Sequence, residues 1–157
     1  MTARNSPSPS TGVLYIATGS KYIRAAVRSA ETVRARCPGL PIHLFGDWRQ
    51  QGFEFDRSPS PFTTVGAVEN PHPRSKVDYL ASTPFERTLF LDTDTAVHAD
   101  ITGIFQLLDR FDIAMAHAPR RIPHPDARRW RLAVPDAFPQ FNSGVLLYRR
   151  TPAVLSL

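Results

Sequence analysis

Asp92 and Asp94 are the residues whose type and spacing point most directly to chemistry. They follow Thr88-Leu-Phe-Leu91, an apolar run that reads as a buried strand, and residues i and i+2 at a strand end project to the same side. Two carboxylates placed that way can share one hard divalent cation. Magnesium or manganese bound by one or two carboxylates keeps its other positions for water and phosphate oxygens, so the pair suits a diphosphate-bearing substrate. The alternative is a strand end whose aspartates only cap turns and meet solvent. An EF-hand loop is excluded, because its fifth and sixth positions, which need an oxygen ligand and a glycine, hold Ala96 and Val97. Zinc is poorly supported: Cys37 and the five histidines show no paired ligand spacing.

The elements that must position these acids are readable from periodicity. Val13 to Ala17 forms a short apolar strand ending at Thr18-Gly19. A helix follows, with Ser20 as N-cap, Ile23, Ala26, Val27, Ala30 and Val33 on one face, and Arg34 and Arg36 at its negative end. Cys37-Pro38-Gly39 stops it, and Pro41 to Phe45 makes a second strand, expected to pair in parallel with the first. Further along, the pattern predicts a strand within 62–68, a helix over 74–81 and the acid-bearing strand 88–92. Asp100 is the expected N-cap of another helix, with Ile101, Ile104, Phe105 and Leu108 at helical spacing. A strand over 112–116, a Pro/Arg-rich loop over 119–139 and a strand over 144–148, entered from Phe141-Asn142-Ser143, complete the reading. Strands alternating with helices predict an α/β protein around a largely parallel sheet, which places ligands at the carboxyl ends of its strands.

The 157 residues are about one domain's worth, and 42% hydrophobic with 21% charged residues is ordinary globular usage, which excludes disordered and collagen-like classes. A single cysteine forbids an intramolecular disulfide and fits a reducing, cytoplasmic setting. Residues 1–11 are polar and Pro/Ser-rich, a flexible leader without signal-peptide character, leaving 12–157 as the domain. The net charge of +5 favours an anionic partner and permits peripheral contact with the anionic inner membrane face. Of the 19 basic residues only Lys21 and Lys76 are lysines. Arg120, Arg121, Arg128, Arg129 and Arg131 cluster around Trp130, but no nucleic-acid motif accompanies them, so nucleic acid is not the expected partner.

Two family resemblances bear on the acids. The strand with Asp92-Thr-Asp94-Thr95 resembles the first motif of haloacid-dehalogenase-type phosphatases, in which the first Asp is a nucleophile and the second a general acid. That family implies a downstream lysine, and none follows Lys76. More extensively, Thr83-Pro-Phe-Glu-Arg-Thr-Leu-Phe-Leu-Asp-Thr-Asp-Thr95, then Ile104-Phe-Gln-Leu-Leu108, then Phe141-Asn-Ser-Gly-Val145 resemble, in order, the nucleotide-diphospho-sugar transferases, glycosyltransferases of the GT-A type with an Asp-x-Asp at a strand end. The likeness runs from Val13 over nearly the whole chain.

This resemblance implies a Rossmann-like GT-A fold, with a mostly parallel central sheet flanked by helices. It implies that Asp92, Thr93 and Asp94 hold the donor diphosphate, with Asp92 and Asp94 binding Mn2+ or Mg2+. It also implies that Ala17, Thr18 and Tyr22 line the base and ribose pocket, that Lys76 reaches the diphosphate or donor sugar, and that Asn142 and Ser143 face the donor sugar as in retaining members. On the residues alone, the turn at Thr18 lacks a full Gly-rich fingerprint and reads equally as packing. Lys76 reads equally as a surface lysine, and Asn142-Ser143-Gly144 as a turn before a strand. The implied activity is metal-dependent transfer of a sugar from a nucleotide-diphosphate donor to a glycan, lipid or small-molecule acceptor. Family members continue past the last strand with acceptor contacts and a further metal ligand such as His. Here the chain stops at Leu157, and His98, His117 and His124 all precede that strand. The resemblance therefore implies a C-terminally shortened form, either completed by other groups or a non-catalytic nucleotide-sugar-binding or partner module.

Overall fold

The computed structural model describes residues 11–56, 59–72, 74–118 and 141–156. The stretch up to residue 10, read as leader, and the Pro/Arg-rich segment 119–140 with its arginine cluster and His124 lie outside the described residues.

The apolar runs become six strands: β1 (Thr11–Ala17), β2 (Ile42–Gly46), β3 (Thr64–Ala67), β4 (Arg87–Leu91), β5 (Ile113–His117) and β6 (Phe141–Arg149). They form one sheet in the order β3-β2-β1-β4-β6-β5. β3, β2, β1 and β4 run parallel, with Val13 opposite both Ile42 and Leu89, whereas β6 is antiparallel to β4 and to β5. Helices α1 (Ser20–Arg36), α2 (Ser75–Leu80) and α3 (Pro152–Leu155) and a 3-10 helix (Thr102–Asp109) complete the described elements.

Period-two alternation divides the strand residues between two apolar layers. Val13, Tyr15 and Ala17 of β1 and Leu89 and Leu91 of β4 face Ile23, Ala26, Ala30 and Val33 of α1. Leu14, Ile16 and Phe90 point the other way, with Tyr148, onto Tyr79 and Leu80 of α2 and Val154 of α3. Both faces of the central strands are therefore covered, as near-continuous apolar runs require. No helix among the described residues is long and apolar enough to cross a membrane.

Four local expectations are corrected. Thr11 belongs to β1, where it pairs with Arg87, rather than to the leader. Ser20 is the first residue of α1 and not its cap; Gly19 holds that position at φ 88°, a left-handed conformation that favours glycine. The helix expected after Asp100 is 3-10: Gly103 weakens its first turn, and the buried Phe105 and Leu108 lie three apart, the 3-10 repeat. Asp100 still serves its start, accepting from the Thr102 backbone N–H at 2.8 Å and the Thr102 hydroxyl at 2.7 Å. Finally, Asn142 and Ser143 lie within β6 rather than in a turn before it, beside a register shift in its pairing with β5.

Candidate active site

β1, β2 and β4 all end at one edge of the sheet, and their carboxyl ends open into a cleft of about 1180 Å³. Ile16 lies on β1 and Thr18 and Gly19 follow it, Asp47 follows β2, and Asp92 to Ala96 follow β4, while Lys21, Tyr22, Ala25, Arg28, Ser29 and Thr32 descend one side of α1. Pro71, His72, Ser75 and Lys76 close the side nearest α2.

Asp92 sits one residue beyond β4, tied to β6 by its N–H donating to the Gly144 carbonyl at 2.8 Å. Its Oδ1 accepts from Lys76 Nζ at 2.7 Å, and the same ammonium donates to the Ser143 carbonyl at 3.0 Å. Lys76 Nζ also lies 4.7 Å from the centre of the Phe90 ring, so one cation joins α2, β4 and β6. A Cβ at Gly144 would fall 2.8 Å from Asp92 Oδ2 and 3.0 Å from Asn142 Oδ1; glycine is what lets the carboxylate lie against β6. Asp94 is exposed in the cleft wall and has no ion pair or hydrogen bond among the described residues.

The chain thus brings Thr18, Tyr22, Lys76, Asp92, Thr93 and Asp94 to one cleft. Ala17 is buried in the core behind it, with Ile16 and Thr18 on either side forming the wall. Asn142 and Ser143 are exposed on β6: Ser143 meets the site through its carbonyl, and Asn142 Oδ1 accepts the Gly144 N–H at 2.8 Å.

Asp47 is the residue that sequence reasoning missed. It is buried, its Oδ1 accepting the Gly19 N–H at 2.8 Å and its Oδ2 the Gln51 amide at 2.9 Å, so it fixes the turn that starts α1. The signal was the same as for Asp92, an acid directly after an apolar strand. Arg28, Ser29 and Thr32 were missed because they lie on the helix flank beside the apolar stripe, where polar residues carry no distinguishing pattern.

Two hard carboxylates, one of them unengaged within the described structure, with open space in front and a cation alongside, are a donor set that fits magnesium or manganese rather than a softer metal. No cluster of three His, Cys, Asp or Glu side chains that could hold a metal occurs among the described residues, where Asp92 and Asp94 are the pair on offer.

The GT-A-type α/β fold expected from the sequence is the fold observed, and it is that of solved glycosyltransferases. The crystal structure of galactosyltransferase LgtC in complex with donor and acceptor sugar analogs aligns with a TM-score of 0.63 at 16% identity, over 88% of this chain and 58% of LgtC. The glycosyltransferase GlyE of Streptococcus pneumoniae TIGR4 aligns with a TM-score of 0.56 at 18% identity, over 90% of this chain and 34% of GlyE. The chain therefore spans little more than half of one neighbour and about a third of the other. No family model and no curated protein matches the sequence.

Proposed function

We propose that this chain binds a nucleotide-diphosphate sugar with Mn2+ or Mg2+ at Asp92 and Asp94 and transfers the sugar to an acceptor. The observation that carries the reading is the convergence of Asp92, Asp94 and Lys76 on one cleft at the carboxyl end of β4. The donor and acceptor sugar analogs bound by LgtC support sugar transfer between a donor and an acceptor on this fold. Asp92 and Asp94 would hold the cation, whose charge would offset that of a nucleoside diphosphate leaving group.

The chain's own residues then have distinct tasks. Asp92, one residue beyond β4, and Asp94, in the turn that follows, would offer carboxylate oxygens to the metal. Lys76 places an ammonium beside that site, within reach of phosphate oxygens, and is anchored by the Ser143 carbonyl rather than by a carboxylate alone. Tyr22 exposes half its surface in the cleft one turn into α1, an amphipathic ring for a nucleobase to stack on. Asn142 and Ser143, exposed on β6 beside the Lys76–Asp92 pair, would face the donor sugar.

The test is release of nucleoside diphosphate from a panel of nucleotide sugars in the presence of Mn2+. Metal-dependent release by the wild type, abolished in Asp92→Asn and Asp94→Asn, is expected. Release indifferent to both substitutions would overturn the assignment.

A further inference from the structure

The loop that carries the two acids is held by a chain of hydroxyls that enters it from the core. The Tyr15 hydroxyl, on buried β1, lies 2.7 Å from Ser29 Oγ, and Ser29 Oγ lies 3.0 Å from Thr95 Oγ1. Thr95 Oγ1 donates to the Asp92 carbonyl at 2.8 Å, and the Thr95 N–H points to the same oxygen at 3.2 Å. Proton counting fixes the direction of the whole chain. A hydroxyl has one proton. Thr95 gives its own to Asp92, so Ser29 must donate to Thr95, and Tyr15 must donate to Ser29. Burial pushes the Tyr15 phenol up to about 12, which keeps that first proton in place at any working pH.

A second hydroxyl secures the far end of the same loop. Thr32 Oγ1 donates to the Ser29 carbonyl at 2.6 Å and accepts the Val97 N–H at 2.9 Å. The segment from Asp92 to Val97 is thus fastened at both ends to one turn of α1, with Thr93 and Asp94 spanning the interval between.

We infer that Ser29, Thr95 and Tyr15 are positioning residues for the metal-ligating carboxylates: a one-directional O–H···O–H···O–H···O=C chain fixes the Asp92 backbone and so the aim of Asp92 and Asp94 into the cleft. The inference rests on the metal-site reading given above. Aligned hydroxyls polarise one another, so the last bond, at Asp92, is strengthened by the two behind it. Tyr15 is buried behind the cleft, whereas Ser29 and Thr95 line it. Each acts through the loop, as outer-shell partners of metal ligands do.

Thr95→Val removes the hydroxyl while keeping the shape, Thr95→Ser keeps the hydroxyl, and Tyr15→Phe removes the head of the chain. Two readouts separate the inference from the reading beneath it. Hydrogen exchange of residues 92–97 in the metal-free protein reports the clamp itself: faster exchange there in Thr95→Val, with β1 and β4 still protected and Thr95→Ser close to wild type, is expected. Mn2+ binding, followed by the paramagnetic signal of the free ion with and without inorganic pyrophosphate, reports its consequence. Affinity should fall about tenfold in Thr95→Val, less in Tyr15→Phe, and recover in Thr95→Ser. Unchanged exchange in Thr95→Val overturns the clamp whatever the metal does. Unchanged Mn2+ affinity beside faster exchange overturns the positioning role. A wild type that takes up no Mn2+, yet shows the exchange difference, removes the metal-site reading and with it the positioning role, and leaves only a structural clamp.

Discussion

Lys76 Nζ and Asp92 Oδ1 are 2.7 Å apart, a helix cation and a strand-end carboxylate paired across the mouth of the cleft. The pair sets a competition, because the oxygen that would ligate a metal is the one that holds the ammonium. A cation bound there would either replace Lys76 or share the carboxylate with it, and a diphosphate arriving with the metal would give the ammonium a new partner.

Substituting Lys76→Met should therefore act with opposite sign on two ligands. Both side chains are about one-third exposed, so their pairing contributes about 0.5–1 kcal/mol. Mn2+ alone should bind about two- to fivefold more tightly in the variant, and Mn2+ with inorganic pyrophosphate more weakly than in the wild type. Calorimetric titration of both checks this. A variant that weakens both would show that Lys76 only maintains the fold.

Gly144→Ala puts a methyl group 2.8 Å from Asp92 Oδ2, inside contact distance. The carboxylate must turn or β6 must shift. Stability should fall by about 1–2 kcal/mol and Mn2+ affinity by about tenfold. Urea unfolding and metal titration measure the two losses, and unchanged metal affinity would show that the packing of Asp92 against β6 has no part in metal binding.

Asp47→Ala takes the acceptor from the Gly19 N–H, a charge-assisted bond in a buried setting. The expected cost is about 2 kcal/mol in urea unfolding. Asp47→Asn, which keeps a carbonyl oxygen in place, should lose less. Equal losses would mean that the charge of Asp47, and not its shape or a single acceptor oxygen, is what it contributes.

His43 predicts an acid limit. Its Nδ1 meets the Thr64 hydroxyl at 2.7 Å, its Nε2 is buried with no partner among the described residues, and burial lowers its pKa from 6.5 to about 4. The folded state thus resists a proton that the unfolded chain accepts. Stability from this site is complete above pH 6.5 and is lost as pH falls towards 4, by on the order of 2 kcal/mol after allowance for solvent screening. His43→Leu should flatten that part of the pH dependence relative to the wild type. Parallel curves for the two proteins would rule out the assignment.

β1, β2 and β4 were legible because each is a compact apolar run closed by glycine or acid, and Asp92 with Asp94 was legible because two acids directly after such a run stand out. What remained hidden depended on distant partners. Lys76 is singled out only by the family resemblance; by residue type it looks like any surface lysine until α2 brings it to Asp92, sixteen residues away in sequence. Ser29 and Thr95 are sixty-six residues apart, and nothing local marks two hydroxyls that meet across a helix and a loop. The 3-10 helix was read as α because Ile101, Ile104, Phe105 and Leu108 satisfy both periods over so short a span.

The most direct test is thermal unfolding of the chain with nucleoside diphosphates and their sugars, each with and without Mn2+. A ligand at 100 times its dissociation constant adds about 2.7 kcal/mol, a midpoint rise of about 5–10 °C at this size. A rise that needs Mn2+, favours one base and disappears in Asp94→Ala is the predicted result. A chain that melts cooperatively at one midpoint in every mixture would contradict the metal and donor site at Asp92 and Asp94.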